Sequence, residues 1–154
     1  MASNVSGDER FRMCLDASTR HERGRAPMMT LFSLFGWHFL ADFPLQGDFL
    51  SRAKNPNTAI QGIAWWYALL AHASIHGFGV MLITGSISLG IIETVFHFSI
   101  DCLKCAGKTS FLFDQFLHLA CKVLIWVIYL VSVVHGETPG GEGGAEALWR
   151  HTLA

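Results

Sequence analysis

The sequence predicts an all-α fold: an integral-membrane four-helix bundle with a polar His/Asp core site. Three observations carry that expectation. Hydrophobic residues make up 51% of the 154-residue chain. Charge is concentrated at the ends: residues 1–27 hold nine charged side chains, whereas residues 28–135 hold ten over four times the length. Four apolar segments each carry one pair of metal-ligand-type residues four positions apart: His38 and Asp42, His72 and His76, His97 and Asp101, Asp114 and His118. That spacing puts both members of a pair on one face of a helix, one turn apart.

The first helix is expected over residues 28–43, ending or breaking at Pro44, which disfavours helix at the residue before it. Residues 44–62 read as an interfacial loop, with Gly47, the turn signal Asn55-Pro56-Asn57, and Phe49 and Leu50 as apolar contacts. The second helix spans 63–84, with Trp65, Trp66 and Tyr67 as an aromatic belt. Gly85 and Ser86 make a tight connection to a third helix over 87–103, and Gly107 marks the turn into a fourth over 111–134. Helices two and four are long enough to cross about 30 Å of hydrocarbon at 1.5 Å per residue. A soluble bundle would need charged outer faces, but residues 123–134 are apolar almost all round. The domain reading is a polar, disordered tail at 1–27, a membrane domain at 28–135 and a flexible glycine-rich tail at 136–154. The first 27 residues lack the apolar stretch of a secretory signal, and Met28 and Met29 offer a second start where the apolar region begins. His38-Phe39-x-x-Asp42 and His97-Phe98-x-x-Asp101 share a pattern, which is consistent with two related hairpins or with coincidence.

In an up-down-up-down bundle the paired residues sort by depth. His38, His76, His97 and His118 form a deep layer, and Asp42, His72, Asp101 and Asp114 a shallow one nearer the loops, about 6 Å away. Polar side chains in such segments are expensive and face the bundle interior or a water-filled cavity. Glu93 and Lys122 fall one turn deeper and are expected to pair, since either charge alone is costly to bury. All eight residues are candidate ligands for a divalent transition metal, zinc first and then manganese or non-haem iron. Eight exceed the four of one tetrahedral ion, so either two ions bind or some residues support the others. The bland alternative is that the polar groups only hydrogen-bond across helices. Bis-histidine haem fits less well beside three carboxylates. Trp37, Trp126, Phe96 and Phe116 read as packing or lipid contacts, and Gln46 and Gln115 as ordinary flanking residues. Cys102-x-x-Cys105 is a lone pair and reads as small buried hydrophobes. A net charge of −1 gives no argument for nucleic acid.

The order His38-x-x-x-Asp42-Phe43-x-Leu45-Gln46, Lys54, His72-x-x-x-His76, His97-x-x-Ile100-Asp101-x-x-Lys104, Asp114-Gln115-x-x-His118 resembles the bacterial and phage integral-membrane family termed domain of unknown function 3307. The resemblance spans residues 29–134. It implies a small multi-helix membrane protein of the bacterial inner (plasma) membrane, and supplies no activity. A looser similarity runs to membrane families labelled metal-dependent hydrolases. The 27-residue polar start departs from the family pattern.

Two classes of function follow. One is a metal-dependent hydrolase at the membrane interface, with Asp42, Asp101 or Asp114 as general base and a lipid-linked or phosphorylated substrate. The other is non-enzymatic: an ion or proton pathway, or a membrane partner module. An enzyme needs a cleft reaching the loop side. A pathway needs polar groups beyond Lys122, where helix four is apolar unless an oligomer supplies them.

Overall fold

The computed structural model describes residues 27–58 and 60–135, and all regular structure in them is helical. Apart from Pro27, the two tails expected at 1–27 and 136–154 lie outside these residues, as does Cys14. Five α-helices follow in order: α1 (residues 27–40), α2 (Gly47–Ala53), α3 (Trp65–Thr84), α4 (Ile87–Cys105) and α5 (Phe111–Val134). A π-helical turn, Ala41–Leu45, continues α1, and a 3₁₀ turn, Pro56–Thr58, follows α2. The four long segments are where the sequence placed them, and α2 is an addition inside the expected loop.

Pro44 breaks the regular α-helix, as one of the two expected outcomes, without ending the helical path. It lies within the π turn. Proline lacks an N–H and its ring clashes with the carbonyl four residues back, and a wider turn accommodates both defects. Such turns often occur at functional sites, and this one carries Asp42. Gly47, at φ 56°, then redirects the chain into α2.

The α3–α4 hairpin is set by local chemistry. Gly85 caps α3 in the left-handed region, at φ 70°, and its N–H donates to the Met81 carbonyl. Ser86 caps α4, its hydroxyl accepting from the Leu89 N–H at 3.3 Å. Ser110 caps α5 in the same way through the Phe113 N–H, also at 3.3 Å. Within the hairpin the two backbones touch at glycine. A Cβ on Gly77 would lie 2.4 Å from the Gly90 carbonyl oxygen, and one on Gly90 2.7 Å from that of Gly77.

Two tryptophans tie α1 into place. Trp37 lies on Gly79, and its indole N–H donates to the Ile75 carbonyl at 3.1 Å. The Trp126 N–H donates to the Pro27 carbonyl at 2.8 Å, joining α5 to the start of α1. Leu34, Val80, Leu89 and Ile125 form a buried apolar cluster at the ends of the long helices away from the α4–α5 turn. The outer faces are also apolar: Ile87, Ile91 and Val95 on α4 and Phe116, Leu124 and Val131 on α5 are exposed. Two described helices, α3 and α5, are long and apolar enough to cross a membrane.

Candidate metal centre

Going from the apolar cluster toward the loops, each long helix delivers its polar residues a turn at a time. Helix α4 presents Leu89, Glu93, His97 and Asp101, all buried, and α5 presents Ile125, Lys122, His118 and Asp114, also buried. Helix α1 supplies Leu34 and His38 and leads into Asp42, while α3 supplies Val80, His76 and His72. The five histidines of this stretch are at most 2% exposed.

The expected two layers merge into one cluster. Asp42 Oδ1 lies 3.0 Å from His76 Nε2, 3.3 Å from His72 Nε2 and 3.7 Å from His97 Nε2. Asp101 Oδ2 lies 3.6 Å from His72 Nε2 and 3.9 Å from His97 Nε2, and Asp101 Oδ1 3.6 Å from His118 Nε2. The His97 ring is stacked between those of His76, at 3.6 Å, and His118, at 4.1 Å. Helix geometry explains the merging, because side chains lean toward the N-terminus of their own helix. Asp42 and Asp101 therefore lean inward, while His76 and His118, on helices of opposite direction, lean outward to meet them. The same rule carries Asp114 away from the cluster. Its Oδ2 accepts from Lys104 Nζ at 3.0 Å, and its Oδ1 is 3.9 Å from His118 Nε2. The glycine contact between α3 and α4 sits beside His76, which allows the close stacking on His97.

Among the described residues two groups have donor atoms close enough to hold a metal ion: Asp42, His72, His76 and His97, and His97, Asp101 and His118. His38 and Asp114 stand outside both groups. His38 Nε2 lies 3.5 Å from Asp42 Oδ2 and 3.4 Å from Gln115 Oε1. The donor set fits a metal on a second ground. Nε2 of His76, though 3.0 Å from Asp42 Oδ1, and Nε2 of His118 are buried without a well-directed hydrogen bond, and buried polar atoms are rarely left so. Glu93 and Lys122 pair as expected, Lys122 Nζ donating to Glu93 Oε1. The same oxygen lies 3.4 Å from His97 Nδ1, where it favours the proton on that nitrogen and a lone pair on Nε2.

A cavity of about 330 Å³ adjoins the cluster at the loop end, lined among others by Asp42, Asp101, Asp114, Gln46, Lys54 and Lys104. Its rim includes exposed Phe43 and Phe111. Lys54 Nζ donates to Asp101 Oδ2 at 2.5 Å and to Gln46 Oε1 at 2.7 Å. Gln115 Nε2 donates to Asp42 Oδ2 at 3.1 Å. Sequence reasoning read these glutamines as ordinary flanking residues, and Lys54 and Lys104 entered it as positions of the family pattern. The lysine at position 54 is held by tertiary contacts: Cys105 Sγ lies 3.7 Å from its carbonyl, and Asn57 Nδ2 donates to the Cys105 carbonyl at 3.1 Å. Cys105 is thus a buried packing residue.

No curated protein and no solved structure matches the chain. One family model does, over residues 30–138, which takes in all eight paired residues, both lysines of the cavity and the Glu93–Lys122 pair. The chain therefore belongs to the family described as protein of unknown function (DUF3307).

Proposed function

We propose that this is an integral-membrane protein whose His/Asp cluster holds a divalent transition metal, zinc first, and that it hydrolyses a substrate entering from the loop-side cavity. The observation that carries the reading is the convergence of four buried histidine Nε2 atoms on Asp42 and Asp101, directly beside that cavity. Imidazole and carboxylate are the ligands of zinc, and of manganese and iron. His97 Nε2 belongs to both groups but can serve one ion at a time. The cluster therefore accommodates one ion in a four-ligand set, or two ions with three protein ligands each.

A metal bound there would bring the pKa of a coordinated water toward neutrality. The chain's own part is to orient the ligands and to move the proton. Asp114 is placed for the latter. It lines the cavity, lies outside both ligand groups, has Oδ2 held by Lys104, and leaves Oδ1 without a hydrogen-bond partner. In the proposed hydrolysis the Asp114 carboxylate takes one proton from the attacking water, whose oxygen forms the new bond to the substrate as the bond to the leaving group breaks, and Asp114 then gives that proton to the departing group. Asp42 and Asp101 act as ligands. The exposed apolar faces of α4 and α5 support seating in a bilayer.

A through-going ion or proton pathway is the second reading. The apolar cluster of Leu34, Val80, Leu89 and Ile125 weighs against it, because it lies where such a path would continue. The experiment is elemental analysis of the detergent-purified chain and of His97→Ala. Stoichiometric zinc lost in the variant supports the reading, and trace metal unaffected by the substitution overturns it.

A further inference from the structure

We propose that the loop-side cavity is a phosphoryl-binding subsite, with Lys54 and Lys104 as its cationic arms. The proposal rests on the metal reading above and names the substrate class for that same site.

The first argument is charge. The cluster and its surroundings hold four carboxylates, Asp42, Asp101, Asp114 and Glu93, against three amines, Lys54, Lys104 and Lys122. With neutral histidines that leaves a net charge of −1. One divalent ion turns it to +1 and two to +3, so at either stoichiometry the loaded centre is cationic beside a partly enclosed cavity. An anion is the ligand that neutralises it, and the low-dielectric walls strengthen the attraction.

The second argument is the donor inventory. An ammonium group has three N–H donors. Lys54 uses two, on Asp101 and Gln46, and Lys104 uses one, on Asp114. Three N–H donors thus remain on two side chains that line the cavity together with the metal-facing carboxylates. Lys54 is only 8% exposed, so it is a built element of the site and not a solvated surface amine. Three separate electropositive groups, the metal centre, Lys54 and Lys104, each partly offset by a carboxylate, match the three non-bridging oxygens of a phosphoryl group. A carboxylate offers two oxygens and a halide one point. Lysine binds phosphate as a point charge. A cavity of about 330 Å³ lies at the small end of ligand pockets, which suits a phosphoryl group and part of what it is attached to.

The test uses the full chain in detergent, loaded with zinc and freed of excess metal. Inorganic phosphate is titrated by calorimetry, and zinc content is measured on the same samples. Saturable binding is expected, weakened at least tenfold in Lys104→Gln and in Lys54→Gln and lost in the double variant, with zinc content unchanged. Lys104→Arg should retain binding. Lys104→Gln leaves the buried Asp114 carboxylate without its cation, so thermal unfolding is measured on the same samples and the charge-retaining Lys104→Arg serves as the control for stability. Zinc-loaded protein that takes up no phosphate, or binds it equally well in the double variant, overturns this proposal alone. A chain that takes up no zinc overturns the metal reading and this one with it. Micelles doped with phosphatidic acid, compared with phosphatidylcholine, then separate the sources. Phosphatidic acid competing more strongly than free phosphate marks a lipid headgroup, and equal competition marks a soluble phosphate ester. Both support a phosphoryl site.

Discussion

Replacing Lys122 with leucine should unfold this protein more readily than any change on its outer surface. The amine is fully buried, Glu93 is 1% exposed, and Lys122 Nζ donates to Glu93 Oε1. An exposed ion pair is worth about 0–1 kcal/mol. Here the relevant quantity is the carboxylate left behind, whose other oxygen already lacks a partner. Removing one member of a buried pair typically costs about 3–5 kcal/mol, which for a chain of this size corresponds to a fall of roughly 10 °C in Tm. Glu93→Leu alone should be similarly harmful, because it strands the ammonium. The double variant Glu93→Leu/Lys122→Leu should recover to within about 1–2 kcal/mol of the parent, since apolar replacement of a buried pair is often neutral. Metal binding should separate from stability in that variant. Glu93 Oε1 lies 3.4 Å from His97 Nδ1 without a hydrogen bond between them, so zinc affinity should fall by less than the about 10–100-fold that follows loss of a hydrogen-bonded partner, and stoichiometry at saturating zinc should hold. The assays are thermal unfolding in detergent and zinc competition with a chromophoric chelator. A Lys122→Leu variant as stable as the parent, or a double variant no better than the singles, would refute the reasoning.

The α3–α4 contact should tolerate no Cβ: Gly77→Ala is expected to destabilise by about 1–3 kcal/mol or more, since the nearest atoms include the Gly90 carbonyl, and unfolding measurements would register it. Asp114→Asn should reduce hydrolysis of a phosphomonoester about 10²–10⁴-fold with zinc content unchanged, the range expected for a lost general base, and loss of zinc instead would make Asp114 a ligand. Carbonate washing of isolated membranes should leave the protein in the pellet until detergent is added, and release by carbonate alone would remove the bilayer from the account.

Much of the site was legible because its signal is local. A His or Asp four positions from its partner inside an apolar segment identifies a face without any knowledge of neighbouring helices, and all eight such residues line or adjoin one cluster. The Glu93–Lys122 pair was legible for the same reason, from its place one turn along the same stripes. Three features were not. Pro44 reads locally as an end or a break, and only the structure reveals that a π turn absorbs it and carries Asp42 onward. The roles of Lys54 and Gln46 depend on a fold-back of residues 54–57 onto the end of α4, held by contacts between residues about fifty positions apart. The outward lean of Asp114 follows from the direction of α5, a rule available from sequence, but its consequence, pairing with Lys104, needed the α4–α5 turn in place.

The central claim is that the buried His/Asp cluster holds metal, and the most direct measurement is elemental analysis of the full chain purified in detergent, compared with His97→Ala and His118→Ala. One or two zinc ions per chain are expected in the parent. The loss in His97→Ala, which removes a ligand from both groups, should be at least as large as in His118→Ala, which removes one from the second group only. Metal well below one per chain, and equal in all three proteins, would mean that the histidines are a hydrogen-bonded core and would contradict the account.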